Sequence, residues 1–343
     1  MSGSDRLRSI LDSFPRFPLG NFPTPLEYLP RLSKQMGREI YIKRDDQCGP
    51  GLGGNKTRKL EYLIADARNR GARKVVTFGG LQSNHVRITA GAANKSGLET
   101  HLFFFERKPK DFIGNLMIDQ VLGARLHFIP FGGGGGNMTI ERSNKLVRSV
   151  ALLTVGRHYF IPVGGHSWLG CLGYAEAAIE IDRQARELGI GNAWLVCAAG
   201  TGGTLAGLMA GFSMLESQIQ PLGIDVGRLW LRFPGSIARL AEEVCRRLGF
   251  QRQFNAKEVP LLESTYVGEK YAAHSPACID AINQLASLEG ILLDPIYTAK
   301  AFAGLFDLIH NGKLGRDEPV IFLHTGGMPG LFAFGEEILG IGF

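Results

Sequence analysis

The chain has 343 residues, of which 45% are hydrophobic and 20% are charged. These fractions are typical of globular proteins, so we expect about two folded domains and no long disordered region. Lysine and arginine number 38 and aspartate and glutamate 32, a formal net charge of +6, and no run of five basic residues occurs. A nucleic-acid partner is therefore not expected.

Short β-branched or aromatic runs alternate with helix-length stretches along most of the chain. The predicted strands are residues 40–43, 74–78, 101–105, 125–129, 158–161, 194–197, 229–233 and 320–324. The predicted helices are residues 56–70, 83–95, 173–188, 237–248, 276–288 and 299–310. Alternation of this kind predicts an α/β fold with parallel sheets and helices on both faces.

Cysteine and histidine spacing bears on metals and disulfides. The five cysteines are an odd number without CxxC spacing, which argues against a disulfide framework and a cysteine-based zinc site. The histidines show no HxxxH or HxxE pattern, so we expect no metal site. We expect the five cysteines to pack as small apolar side chains, and Cys48, in a loop rich in glycine and proline, is the one cysteine to test for thiol reactivity.

Two segments bear on the compartment. The first nine residues lack the apolar core of a signal peptide. Residues 193–215 carry no charge, but the polar, glycine-rich break at their centre favours a strand–loop–helix over a membrane span. We therefore expect a reduced, soluble, cytoplasmic protein that makes no membrane contact.

Four loops that follow predicted strands are rich in glycine or small polar residues. They are residues 79–85, 164–167, 199–204 and 325–327. In an open parallel sheet, ligands bind beyond the carboxyl ends of the strands. We therefore predict one site that is assembled from several of these loops.

The loop Gly200-Thr201-Gly202-Gly203-Thr204 follows a predicted strand and opens a helix. Glycine lets backbone N–H groups approach an anion, the helix dipole adds partial positive charge, and the two hydroxyls are further donors. The loop therefore fits a phosphate, although it matches neither GxGxxG nor GxxxxGK[ST]. A glycine-rich turn without a ligand is the alternative.

Two lysines precede the buried face of the first long helix. Asn55 is a plausible N-cap, and Lys56 and Lys59 lie four residues before the apolar residues Leu60 and Leu63. Both lysines therefore face inward, where desolvation and a second ammonium lower a lysine pKa and yield a nucleophilic or Schiff-base amine. The alternative is that both side chains reach solvent.

The segment Gln82-Ser83-Asn84-His85 opens another predicted helix with polar side chains. Backbone N–H groups and the Ser83 hydroxyl could hold a carboxylate there. An ordinary serine or asparagine helix cap is the alternative.

Together these loops resemble the family of pyridoxal-phosphate enzymes that includes D-cysteine desulfhydrase and 1-aminocyclopropane-1-carboxylate deaminase. The resemblance runs from residues 23–27 (PTPLE) to residues 325–327 (TGG) and is strongest at residues 53–61 (GGNKTRKLE). It implies the two-domain fold type II architecture, similar to tryptophan synthase β, with pyridoxal phosphate between the domains. Residues 1–52 and 164–343 would form the large domain, residues 53–163 a small inserted α/β domain, and two chains a homodimer.

The resemblance also implies a role for each matching residue. Lys56 would hold the cofactor as a Schiff base and shuttle the α-proton, with Ser83, Tyr271 and Tyr297 as further catalytic candidates. The implied cofactor contacts besides Lys56 are Lys59, Asn84, Gly200, Thr201, Gly202, Gly203, Thr204, Thr298 and Thr325. The implied substrate contacts are Ser83, Asn84, His85 and Gly165, with Ser83, Asn84 and His85 at the carboxylate.

Two positions divide the family. The deaminases carry glutamate at the ring-nitrogen position, where this chain has Thr298, and glutamine where it has His85. A neutral hydroxyl implies a weaker electron sink, sufficient to eliminate a thiolate. The resemblance therefore implies that D-cysteine is converted into pyruvate, hydrogen sulfide and ammonia.

Several alternatives stay open. The substrate could instead be aminocyclopropane carboxylate, another D-amino acid or a sulfonated L-amino acid, because Lys270-Tyr271-Ala272 departs from the family's usual Gly-Tyr-Gly. From another class, the chain could bind pyridoxal phosphate without turnover.

Overall fold

A computed structural model describes residues 3–130, 138–263, 267–268, 273, 275–315 and 317–339. The strands of this part are β1 Leu26–Tyr28, β2 Ile40–Lys43, β3 Lys74–Phe78, β4 Glu99–Phe104, β5 Arg125–Phe128, β6 Tyr159–Phe160, β7 Ala193–Ala199, β8 Ile219–Asp225, β9 Leu261–Glu263 and β10 Val320–Leu323. The helices are α1 Gly3–Leu11, α2 Pro30–Met36, α3 Lys56–Asn69, α4 Asn84–Ser96, α5 Gly114–Val121, α6 Ile140–Val155, α7 Trp168–Glu187, α8 Gly203–Leu215, α9 Phe233–Arg247, α10 Pro276–Glu289, α11 Thr298–His310, α12 Met328–Phe332 and α13 Gly335–Leu339.

The strands form two sheets. The larger has the order β1-β2-β10-β7-β8-β9 and is parallel except for β1, which runs antiparallel to β2. The smaller has the order β5-β4-β3-β6 and is parallel throughout. The predicted α/β class with parallel sheets is therefore confirmed.

Helices cover both faces of the larger sheet. Along β7, Leu195 and Cys197 pack with residues of α7, α8 and α9, whereas Val196 and Ala198 pack with residues of α10 and α11. Side chains alternate between the two faces of a strand, so a strand buried on both faces is apolar at every position. The same reasoning explains why β10 (VIFL) is buried along its whole length.

One predicted strand is wrong. At residues 229–233 the chain forms a turn and then begins α9, and the strand in this region is β8 instead. Arg228 and Arg232 have positive φ angles, which a strand excludes. Pro221 and Gly223 obscured β8, and the proline is tolerated because β8 pairs with β9 only from Gly223 onward.

Two expectations about single segments can also be checked. Residues 193–215 form β7, the glycine loop and α8, and no helix within the described ranges is long and apolar enough to cross a membrane. All five cysteines are free and buried. Their burial agrees with the expected packing, and because burial raises the pKa of Cys48 to about 12, this thiol is not expected to be reactive.

Candidate active site

Two glycines set the start of the lysine-bearing helix α3. Gly53 and Gly54 have positive φ angles, and a Cβ on Gly54 would lie 2.8 Å from the Thr325 carbonyl oxygen. The Asn55 N–H donates to that same carbonyl at 3.0 Å. The Asn55 side chain does not cap α3 but donates to the Thr204 hydroxyl at 3.0 Å. The start of α3 is therefore fastened to both the 199–204 and the 325–327 loops.

Lys59 lies beside the start of α8. Its side chain is fully buried, its Nζ donates to the Gly164 carbonyl at 3.2 Å, and a Cβ on Gly203 would lie 3.0 Å from that nitrogen. Gly165 packs on the same side chain, since its Cβ would lie 3.2 Å from Lys59 Cδ. Burial lowers the pKa of Lys59 to about 8, and no carboxylate of the described residues pairs with it. A buried cation without a counter-ion favours an anionic ligand.

Lys56 is half-buried at the first position of α3. Within the described part of the chain its amine has no hydrogen bond and no ion pair. Burial, and next the charge of Lys59, lower the pKa of Lys56 well below the usual value. A lowered pKa increases the fraction of the neutral amine, which is the form that attacks a carbonyl carbon.

The glycine loop before α8 is held from outside by two side chains. The Trp230 indole N–H donates to the Gly200 carbonyl at 2.9 Å, and His166 Nδ1 donates to the Thr201 carbonyl at 2.6 Å. Gly202 has a φ of +71°, and a Cβ there would overlap Ile237. The first turn of α8 contains no acidic residue. Its free N–H groups and Lys59 together form a cradle for an anion.

The start of α4 presents Ser83 and Asn84. The Ser83 hydroxyl makes no cap bond and has no partner among the described residues, which removes the support for a simple serine cap. The amide oxygen of Asn84 accepts from Asn115 Nδ2 at 3.1 Å and from Arg87 Nη2 at 3.3 Å. Arg87 also donates to the Gly53 carbonyl at 3.2 Å. The NH₂ group of Asn84 is therefore left to donate to a ligand.

His85 is buried beneath this helix start, near both lysines. Burial, followed by the charges of Lys56 and Lys59, lowers the pKa of His85 well below 6.5. Its ring is therefore neutral near pH 7. The Nδ1 atom is buried and has no hydrogen-bond partner in the described part of the chain.

Tyr297 and Thr298 lie at the start of α11. The Tyr297 ring lies 3.5 Å from where a Gly200 Cβ would be. The Thr298 hydroxyl is buried and bonded to Asp294. Thr325 is buried and holds Asn55 through its carbonyl, as described above.

A buried network of ion pairs holds α3 in place. The Arg58 guanidinium donates two bonds to Asp45, both at 2.8 Å, and two to Glu180, both at 2.9 Å. Lys43 pairs with Glu180, and the Tyr174 hydroxyl donates to Asp45 at 2.6 Å. Arg58 is two residues from Lys56, so this network holds the first turn of α3, from which the Lys56 side chain extends.

The structure thus brings the predicted loops to one place. The predicted site residues that lie in these loops or beside them are Lys56, Lys59, Ser83, Asn84, His85, Gly165, Gly200, Thr201, Gly202, Gly203, Thr204, Tyr297, Thr298 and Thr325. Tyr271 and its neighbours Lys270 and Ala272 lie outside the described residues.

Sequence analysis did not identify four residues that form hydrogen bonds with residues of this site. They are Thr77, Arg87, Trp230 and Asp294. A local signal existed for Arg87, three residues after Asn84 on one helix, and for Asp294, four residues before Thr298. No local signal linked Trp230 to Gly200.

Comparison with known proteins agrees with this geometry. Residues 18–326 match the family described as pyridoxal-phosphate dependent enzyme. D-cysteine desulfhydrase of Salmonella schwarzengrund is 41% identical over 338 residues, which cover 96% of this chain and 98% of that protein. A putative 1-aminocyclopropane-1-carboxylate deaminase of Pyrococcus horikoshii is 38% identical over 337 residues, or 98% of this chain and 99% of that protein.

Solved structures show the same similarity. The crystal structure of an ACC deaminase homologue superimposes with a TM-score of 0.86 and 38% identity, covering 98% of both chains. Threonine deaminase isoform 2 of Solanum lycopersicum superimposes with a TM-score of 0.64 at 16% identity, covering 98% of this chain and 87% of its own. The latter similarity concerns the fold alone.

Proposed function

The chain belongs to the family of pyridoxal-phosphate-dependent enzymes, and from this we propose that it is a lyase that converts D-cysteine and water into pyruvate, hydrogen sulfide and ammonia. The observation that carries the proposal is the pair of lysines at the start of α3. Lys56 offers an unpaired amine with a lowered pKa, and Lys59 offers a buried cation beside the glycine loop. The 41% sequence identity to a D-cysteine desulfhydrase, over nearly the full length of both chains, supports the choice of substrate.

The site fits pyridoxal phosphate. Gly203 leaves room beside the Lys59 ammonium for a phosphate oxygen, where any side chain would crowd it. We assign the phosphate to Lys59 and residues 200–204, the ring oxygen to the NH₂ group of Asn84, and the ring nitrogen to Thr298, with Thr325 on that side. When bound, the cofactor withdraws electrons from the α-carbon of an amino acid and so makes its proton acidic.

We assign transfer of the substrate's α-proton to Lys56. Its amine would hold the cofactor through the aldehyde group and, when the substrate amine is bound there instead, would be the base that accepts the α-proton. Arg58 and its carboxylates keep α3 fixed during this exchange. We assign transfer of a proton to the departing sulfur to Tyr297 or Tyr271.

The start of α4 suits the substrate carboxylate. Free backbone N–H groups at Asn84 and His85 head the helix, and the Ser83 hydroxyl adds a donor. His85 would contribute its backbone N–H rather than its ring. The ring is neutral and is bonded to Thr77 through Nε2, and its Nδ1 atom, which has no partner among the described residues, accepts hydrogen bonds. It therefore cannot donate one to a carboxylate. We also assign Gly165, which packs on the Lys59 side chain, to the substrate site.

One set of measurements tests the proposal. The purified protein should carry an absorbance band that borohydride removes, and borohydride should fix the cofactor to the peptide that contains Lys56. Lys56→Ala should abolish release of sulfide and pyruvate from D-cysteine, whereas Lys34→Ala, an exposed lysine on α2, should leave it unchanged.

A substrate panel separates the alternatives. D-cysteine should react faster than L-cysteine, D-serine, L-cysteate or aminocyclopropane carboxylate. A rate dominated by aminocyclopropane carboxylate would contradict the desulfhydrase assignment and favour the deaminase. Bound cofactor without product from any of these compounds would favour a binding protein.

We further propose the domain division 1–52 with 164–343, and 53–163. The smaller sheet draws its strands from residues 74–160, and the larger sheet draws them from both sides of that segment, which supports the division. The free, buried cysteines support a reducing, cytoplasmic location.

A homodimer is proposed through α5. Ile113, Met117 and Val121 form an exposed apolar stripe at four-residue spacing, and exposed Phe332 lies on α12, which packs against α5. Light scattering should give the mass of two chains. Met117→Glu should give one chain, whereas Leu153→Glu, at an exposed leucine of α6, should not.

A further inference from the structure

The carboxylate of Asp294 is buried behind Thr298. Its Oδ2 accepts from the N–H groups of Ile296 and Tyr297 at 3.0 and 2.9 Å. Its Oδ1 accepts from the Thr298 N–H at 2.9 Å and from the Thr298 hydroxyl at 2.7 Å. A Cβ on Gly327 would overlap Oδ1, so glycine at that position makes room for the carboxylate.

The Thr298 hydroxyl has little bonding capacity left. A hydroxyl has one proton and two lone pairs. Its oxygen accepts from the Asp294 N–H at 2.8 Å and donates to Oδ1, which is nearer than the Asp294 carbonyl at 3.4 Å. One lone pair remains. While Asp294 is ionised, the Thr298 hydroxyl can therefore only accept a hydrogen bond from a ligand.

We propose that Asp294 is a positioning residue that acts through the Thr298 hydroxyl to keep a proton on the cofactor's ring nitrogen. This inference rests on the proposed function, which places the ring nitrogen at Thr298. The alternative arrangement moves one proton to Asp294, which then donates to Thr298, and Thr298 donates to an unprotonated nitrogen. In both arrangements two protons are distributed over the three groups, and the ring nitrogen carries one of them only while Asp294 is ionised.

The charged groups around Asp294 favour the ionised carboxylate. The Arg87 guanidinium and the Lys300 ammonium, both buried, act on it from α4 and α11. Burial raises the pKa of Asp294 above its usual value, and the donors of Thr298, Tyr297 and Ile296 limit that rise without cancelling it. A cofactor with a protonated ring nitrogen withdraws electrons more strongly than one whose unprotonated nitrogen only receives a hydrogen bond from threonine. Substrate choice then depends on the groups around the carboxylate and the sulfur.

Nitrogen NMR on enzyme loaded with ring-¹⁵N pyridoxal phosphate tests the proposal without measuring turnover. The wild-type shift should be that of a protonated ring nitrogen at pH 7. In Asp294→Asn the amide donates to Thr298, so the shift should move to the unprotonated value. Thr298→Ser should keep the wild-type shift and Thr298→Ala should lose it, and Asp294→Asn should add nothing in the Thr298→Ala background.

Each outcome has a distinct meaning. An unprotonated nitrogen in the wild type, or a shift unchanged by Asp294→Asn, would overturn the role of Asp294 while leaving the cofactor assignment intact. If Asp294→Asn fails to fold, an unprotonated nitrogen in the wild type, or an unchanged shift in Thr298→Ala, would still overturn the proposal, because either result leaves the Thr298 hydroxyl without the effect that Asp294 is proposed to transmit. Protein that retains no labelled cofactor after reconstitution would overturn the proposed function itself, and this inference with it.

Discussion

The Nε2 nitrogen of His85 donates a hydrogen bond to the Thr77 hydroxyl at 2.7 Å, where β3 ends. The direction follows from the second bond of that hydroxyl, which gives its proton to the Ile161 carbonyl at 2.8 Å. A neutral histidine carries one ring proton, so Nδ1 is left as an acceptor. Thr77 therefore selects the tautomer that His85 presents to the site.

His85 should stay neutral as the pH falls. Its folded pKa is lowered, so the unfolded chain takes up a proton first, and the free energy of unfolding should decrease as the pH falls below about 6.5. His85→Gln should reduce this pH dependence in urea unfolding. Thr77→Val should cost about tenfold in kcat/KM and allow the other tautomer, whereas Thr77→Ser should resemble the wild type. A His85 ring protonated at pH 6 by ¹⁵N NMR would contradict the assignment.

Lys59 should take up a proton when a phosphate binds. Its pKa of about 8 leaves part of the population neutral at pH 8, and a phosphate dianion favours the charged form. Calorimetry of the apoprotein with 4-deoxypyridoxine 5-phosphate, which lacks the aldehyde, should show proton uptake at pH 8. Lys59→Gln should remove that uptake and weaken binding by about 2 kcal/mol. Equal uptake in both proteins would exclude Lys59 as the phosphate cation.

Two glycines on α8 should respond differently to alanine. A Cβ on Gly203 would meet the flexible end of Lys59 at 3.0 Å, so Gly203→Ala should weaken cofactor binding by about tenfold with little loss of stability. A Cβ on Gly207 would lie 2.6 Å from the Cys171 carbonyl oxygen, so Gly207→Ala should cost about 1–3 kcal/mol in unfolding free energy. Thermal unfolding and cofactor titration distinguish them, and the reverse pattern would refute the phosphate cradle.

The Arg58 network should dominate the stability around α3. Arg58→Met leaves two buried carboxylates without their cation and should cost about 3–5 kcal/mol, measured by urea unfolding. Burial alone would raise the pKa values of Asp45 and Glu180, but the Arg58 charge lowers both below their usual range. This stability is therefore present above about pH 4.5 and lost as the pH falls through the lowered values. A loss below 1 kcal/mol in Arg58→Met would contradict this role.

Local patterns in the sequence were enough to predict the α/β class with parallel sheets and the loops that come together at the candidate site, whereas candidates such as Tyr297 and Thr298 came from the family resemblance. Alternating apolar runs and helical periodicity act within a few residues, so strands such as β3 and the start of α3 could be located directly. The inward direction of Lys59 followed from its four-residue spacing to Leu63. The glycine loops marked the ligand edge because parallel strands end there together.

The tertiary structure alone decided which residues fix the chemistry. The sequence does not connect His85 to the Ile161 carbonyl through Thr77, or Trp230 to Gly200, because these contacts join segments brought together by strand order. The same holds for β8, whose proline is tolerated only because β9 begins to pair two residues later. Periodicity reports which side of an element is buried, whereas the partner of a buried polar group depends on how distant elements pack.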